Sequence, residues 1–250
     1  MRNHVVVCSL LWGVAAMGSC SSAASEAGSR GDNQARSRPP VKIVCQIDKT
    51  GSGSAMGVVQ PTPESFASLI GLIGKTGGEL AVGLICDRSN RPLIRLRVEQ
   101  PSQPDEVQID RTLNPFEQEQ QRVAAEEKRR SPEWKRKELQ QAQLIEEFKA
   151  KLRDLLSRPA NAARTDIWGA VRRSELFLNE PEAWRLAAHR YAVFITDGID
   201  NVYGRVGAMP DTKLILVNSA GSVGALEVLK PLRFESQEAA FRYITVREEN

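Results

Sequence analysis

Short apolar runs that are hydrophobic along nearly their whole length constrain this chain most. Val41–Ile47 is such a run, and Glu79–Cys86, Tyr191–Thr196 and Lys213–Val217 follow it. A strand without polar alternation has to be covered on both faces. The segments between the runs supply the cover. Thr62 and Pro63 read as the cap and first residue of a helix, in which Phe66, Leu69, Ile70 and Ile73 keep helical spacing as far as Gly74. Asp87–Pro92 reads as a turn, and Leu93–Val98 alternates as a half-exposed edge strand does. Ala225–Phe234 is expected to supply the last strand and Ser236–Ile244 the closing helix. Strands alternating with helices predict an α/β fold, a doubly wound, Rossmann-like and mostly parallel sheet with helices on both faces. Such sheets bind ligands at the carboxyl ends of their strands.

Oxygen donors cluster at those ends. Asp48-Lys-Thr50-Gly-Ser52 closes the first run, Thr165 opens Thr-Asp-Ile-Trp-Gly-Ala, and Asp197-Gly198 closes Tyr191–Thr196. Hydroxyls and carboxylates without His or Cys suit a small hard cation that keeps part of its water, as Mg²⁺ does. Taken singly, each motif is ordinary turn or N-cap chemistry. Their order and context set them apart. The constellation resembles the metal-ion-dependent adhesion site (MIDAS) of von Willebrand factor A (vWA) domains, whose pattern is Asp-x-Ser-x-Ser, then a Thr, then an Asp before Gly. Thr50 replaces the first Ser and keeps its hydroxyl. The resemblance runs from about Val41 to about Thr245. It implies a vWA-type fold and Mg²⁺ (or Mn²⁺) held by Asp48, Thr50, Ser52, Thr165 and Asp197, the carboxylates directly or through water. It also implies a protein partner whose acidic side chain completes the coordination shell. Asp166 and Asp200 are nearby carboxylates without a matched role.

The N-terminus reads as a targeting segment. Arg2 and His4 precede an apolar run, Val5–Met17, too short to span a bilayer but suited to a signal-peptide core. Met17-Gly-Ser-Cys20 is similar to a bacterial lipobox, with Met17 at the place usually held by Leu. Residues 1–20 are therefore expected to be a signal peptide, with Cys20 lipidated and the protein anchored in the cell envelope. A simple secretory signal cut after Ser22-x-Ala24 is the alternative, and would leave a soluble secreted or periplasmic protein. Residues 21–40 have the composition of a flexible Ser/Ala/Gly/Pro linker, and 41–250 form the vWA-like domain. Cys45 and Cys86 fall in strands that the resemblance makes neighbours. Two buried free thiols are expected there, since adjacent parallel strands rarely offer disulfide geometry.

A charged helical insertion occupies residues 103–160. Ser131-Pro132-Glu133 reads as a helix start, and Leu139, Leu144, Ile145, Phe148, Leu152 and Leu155 form one apolar stripe. Glu133–Lys137 and Glu147–Lys151 are favourable i,i+4 pairs. The stripe predicts a helix packed on the domain's own sheet, with docking to a partner as the competing use. A formal net charge of +3, with both signs interleaved, gives no basis for nucleic-acid binding. His189 has no nucleophile placed around it by a known pattern, and Gly51–Gly57 matches neither glycine-rich phosphate motif. The expected function is a non-enzymatic, divalent-metal-dependent protein-binding module of the bacterial cell envelope. The alternatives are a Rossmann-like metal-dependent hydrolase or phosphate-transferring enzyme using Asp48, and a structural envelope lipoprotein without a working metal site. The enzyme would want a second Asp where Thr50 stands.

Overall fold

The computed structural model describes residues 39–55, 57–99, 112–180, 189–200, 202, 204, 209–217 and 224–249, all within the unit Ala35–Asn250. The segment expected to be a signal peptide, Cys20 as the expected lipidation site, most of the expected linker and residues 103–111 of the insertion lie outside the described residues.

One six-stranded sheet organises the domain, in the order β3-β2-β1-β4-β5-β6. Its strands are β1 (Val41–Asp48), β2 (Gly78–Ile85), β3 (Ile94–Val98), β4 (His189–Ile195), β5 (Thr212–Val217) and β6 (Leu232–Phe234). Every pairing is parallel except β2 with β3. β1 lies between β2 and β4 and is buried along its whole length, as its apolar run requires. β3 alternates in burial, as an antiparallel edge strand does. The fold is the expected one, a doubly wound, vWA-like α/β sheet.

Helices cover both faces. On one, Val41, Ile43, Cys45 and Ile47 pack beneath α2 (Ala67–Thr76), the end of α4 (Pro132–Leu156) and α7 (Gln237–Glu249). Phe66, at the end of a 3₁₀ turn leading into α2, lies 5.2 Å from the Phe241 ring of α7. On the other face, Val44, Ala192, Phe194 and Leu216 pack against α5 (Ile167–Leu178) and Leu226 of the short α6 (Gly224–Glu227). This second face carries polar residues of β1. Lys42 is fully buried, 4.2 Å above the Phe177 ring and 3.7 Å from a carboxylate oxygen of both Glu79 and Glu180. A buried cation needs such neighbours, because dehydrating it alone would cost several kcal/mol, on the order of 5.

Four expectations change. Ala225–Phe234 is not one strand: α6 occupies its start, and only Leu232–Phe234 pairs with β5. The apolar stripe of the insertion divides. Ser131 Oγ caps α4 by accepting from Trp134 N at 3.2 Å, and Phe148, Leu152 and Leu155 are buried, but Leu139 and Leu144 are exposed. The α4 axis therefore leaves the sheet before its first turns can reach it. Glu133 meets Lys137 at 3.3 Å as expected, whereas Glu147 accepts from Gln143 instead of pairing with Lys151. Finally, Cys45 and Cys86 are both free, but only Cys45 is buried, since β2 ends one residue before Cys86. Ahead of α4, α3 (Pro115–Arg130) is a helix poor in apolar residues.

Candidate metal centre

Asp48 ends β1 and is fully buried. Its Oδ1 accepts from Thr50 N at 2.8 Å and Thr50 Oγ1 at 2.6 Å, and its Oδ2 accepts from Thr196 Oγ1 at 2.7 Å. The parallel register that sets Ile47 opposite Ile195 brings Thr196 to Asp48. The loop then turns into α1 (Gly51–Ala55), where Ser52 Oγ lies 3.1 Å from Thr50 Oγ1. Gly53 packs closely beside them: a Cβ there would sit 3.2 Å from the Asp48 carboxyl carbon and press the carboxylate by a few tenths of an ångström. Gln60 Nε2 secures the loop from outside by donating to Asp48 O at 2.9 Å.

Backbone bonds bring Thr165 to the same end of the sheet. Gly51 N donates to Ala162 O, and Ala162 N donates to Lys49 O, both at 3.1 Å. Asp166 N donates to Cys86 O at 3.1 Å, just past β2. Asp166 caps α5 by accepting from Gly169 N at 2.7 Å, and its other oxygen accepts from Ser89 N at 2.9 Å. The N-cap signal thus belongs to Asp166. That leaves the Thr165 hydroxyl unused, fully buried and without a hydrogen-bond partner. Asp200 likewise serves the helix start, accepting from Ile167 N at 3.0 Å.

Asp197 follows β4 and is also fully buried. Its Oδ1 accepts from Ile199 N at 2.8 Å, and its Oδ2 has no partner. Burial pushes the Asp48 carboxyl above the usual aspartate range, against the hydrogen bonds from Thr50 and Thr196; the nearby Asp197 charge raises it further. A buried hydroxyl and a buried carboxylate oxygen without partners each cost about 1–3 kcal/mol.

The residue types fit a hard cation. The donors are hydroxyls and carboxylates, and among the described residues no group of three or more His, Cys, Asp or Glu is placed to hold a metal. A divalent cation would give the two orphaned oxygens a partner and would relieve the repulsion between Asp48 and Asp197. All five residues singled out in the sequence, Asp48, Thr50, Ser52, Thr165 and Asp197, lie at the carboxyl end of the sheet, where doubly wound folds bind ligands. Sequence reasoning gave no role to Thr196 or Gln60. Thr196 is placed beside Asp48 by the β1–β4 register, which the sequence does not give.

The fold is a doubly wound, mostly parallel α/β domain with this cluster of oxygen donors at the carboxyl end of its sheet. Among solved structures the chain is similar to a von Willebrand factor type A protein from Catenulispora acidiphila, at 12% identity and a TM-score of 0.46, over 84% of this chain and 42% of that one. It is similar to the pilus adhesin SpaC from Lactobacillus rhamnosus GG in an open conformation, at 10% identity and a TM-score of 0.44, over 84% of this chain and 30% of that one. An aerotolerance-related membrane protein from Bacteroides fragilis, carrying multiple mutations to serine, matches at 12% identity and a TM-score of 0.43, over 84% of this chain and 98% of that one. The chain spans less than half of the first two. No protein-family model and no curated protein matches the sequence.

Proposed function

We propose that this protein is a non-enzymatic, divalent-cation-dependent protein-binding module of the bacterial cell envelope. The observation that carries the reading is the pair of buried, unpartnered oxygens, Thr165 Oγ1 and Asp197 Oδ2, beside an Asp48 already held by hydroxyls. Mg²⁺ or Mn²⁺ would be held by Thr50, Ser52 and Thr165 through their hydroxyls and by Asp48 and Asp197 directly or through water. Bound there, the cation supplies an electropositive position that an acidic side chain of a protein partner fills. The chain's own residues orient the ligands: Thr196 fixes Asp48, Ile199 N fixes Asp197, and the Ala162 bonds fix the loop of Thr165. The phosphate-transferring alternative is disfavoured by Thr50, which stands where that chemistry needs a second Asp.

Envelope anchoring belongs to the same reading and rests on the lipobox-like Met17–Cys20 segment. Among the described residues, no helix is long and apolar enough to cross a membrane.

Thermal unfolding during a Mg²⁺ or Mn²⁺ titration tests the metal. Ligand binding to the native state raises its melting temperature with concentration. Wild type should show that rise and Asp48→Ala should not. Equal responses would remove Asp48 from the site. For the partner, a Glu-bearing peptide should bind only with cation present, and binding in excess chelator would sink this mode of recognition.

A further inference from the structure

Beside the Asp48 loop, on the side of Lys49, lies a cavity of about 900 Å³ that the metal site does not use. It opens where the carboxyl end of β2, the start of β3 and the end of α4 meet. Five cations line it, Lys49, Arg88, Arg91, Arg158 and Arg173, against the single carboxylate Asp87. One Asp87 oxygen is already engaged, accepting from Arg164 N at 2.7 Å.

Of these cations Lys49 is buried and Arg173 is half-buried. Lys49 is 6% exposed, and its Nζ donates to Leu156 O at 2.9 Å, a helix-end carbonyl. Arg173, on α5, donates to Leu84 O at 3.0 Å, Arg91 O at 2.7 Å and Gln46 Oε1, and its Nε is buried without a partner. Every one of these acceptors is neutral. Gly83 makes the placement of Arg173 feasible, because a Cβ there would lie 2.5 Å from Nη2. Burial lowers the Arg173 pKa to about 10, which leaves the guanidinium charged at neutral pH. Lys49 and Arg173 hydrogen-bond neutral acceptors, with the Asp166 charge also acting on Arg173, and they face a cavity rimmed by three exposed arginines, so positive charge predominates and makes an anion-binding environment.

We propose that this cavity is a second binding site, one that takes a multiply charged anionic group of carboxylate or phosphate type. Such a group can belong to a small dissolved anion or to acidic side chains of a bound peptide. In both cases the Arg158, Arg91 and Lys49 donors reach it while Arg173 supplies fixed charge at the back wall. The site is independent of the cation reading, since none of the five proposed metal ligands lines the cavity.

The test measures calorimetric binding of inorganic pyrophosphate, citrate and a deca-glutamate peptide to the full-length chain, dialysed free of metal without chelator. At least one probe should saturate. Arg158→Gln and Arg91→Gln, at exposed positions that spare the fold, should each weaken it roughly tenfold. Because the protein is measured free of metal, failure of the cation site leaves this result standing. Arg122→Gln, an exposed cation on α3, should leave binding unchanged. Saturation by pyrophosphate or citrate identifies a small anion as the source, and saturation by the peptide alone identifies acidic side chains. Absence of saturation by all three, or equal weakening by Arg122→Gln, overturns the proposal.

Discussion

Thr196 Oγ1 donates a 2.7 Å hydrogen bond to Asp48 Oδ2, joining the ends of the adjacent parallel strands β4 and β1 through their side chains. Thr50 holds the other oxygen, so the carboxylate is clamped between hydroxyls from opposite sides. Such a clamp fixes a ligand's direction before any cation arrives, and the order of ordering costs matters for affinity. Thr196→Val should therefore weaken Mg²⁺ binding roughly 10- to 100-fold while every proposed ligand is still present. Isothermal titration checks this, and unchanged affinity would reduce Thr196 to a strand-end contact.

Thr165 and its neighbour Asp166 should respond in opposite ways. Thr165→Val replaces a buried, unpartnered hydroxyl with a methyl of similar shape, so metal-free stability should hold or rise. Cation affinity should fall roughly 10- to 100-fold. Asp166→Ala removes the α5 cap and the bond to Ser89 N, and should cost about 1–3 kcal/mol of stability with cation affinity kept. Urea unfolding and metal titration of both variants settle the division, and a reversed pattern would exchange their roles.

Burial raises the Asp48 carboxyl above its ordinary range, which sets the sign of a pH effect. Below about pH 4 the group is protonated in both folded and unfolded chains and makes no difference. As pH rises, the unfolded chain loses this proton first, so metal-free stability falls until the folded carboxyl has ionised as well. Asp48→Asn should lack that fall and be the more stable protein at neutral pH without metal. Urea midpoints measured from about pH 4 to pH 7 provide the check. Parallel profiles for the two proteins would show that Asp48 is not held in this way.

Gly83→Ala should disturb the cavity from behind. Its Cβ would lie 2.5 Å from Arg173 Nη2 and 2.6 Å from Leu93 Cδ2, so Arg173 must leave its bonds to Gln46 and Leu84 O. The expected loss is about 1–3 kcal/mol, typical of overpacking. Anion binding should fall with it, while the Mg²⁺ response survives. Denaturation and the two titrations, run side by side, separate these effects.

Cys20→Ser should move the protein from the membrane to the soluble fraction or stall its precursor, because covalent acyl chains would be the anchor. Fractionation combined with mass spectrometry of the N-terminal peptide decides. Membrane retention by the variant, with no lipid found on wild-type Cys20, would remove the lipoprotein assignment.

Much of the sheet was legible because burial on both faces leaves little freedom in residue choice. Val41–Ile47 shows this along its whole length. The end of the chain was harder to read: Ala225–Phe234 is apolar enough for a strand, yet α6 takes its first residues and only three residues pair. Local composition does not report where the sheet edge runs out. Leu139 and Leu144 fit the helical stripe but stand in solvent, since periodicity fixes a helix face without fixing how far the neighbour extends. The five oxygen donors proposed for the cation could be named from their motifs, whereas Thr196 depended on strand register. The arginine cavity was illegible, because its cations come from separate loops and helices and meet only in three dimensions.

Ala162 is pinned to Lys49 and Gly51 by backbone atoms alone. The chain leaving the insertion is therefore docked at a fixed point whatever helices precede it. From Phe148 onward, α4 forms a socket set into the core, whereas α3 and the first turns of α4 project from it. That distal portion is in effect a separable cartridge: replacing it with other helices should leave the register of Thr50 and Thr165 where Ala162 holds it.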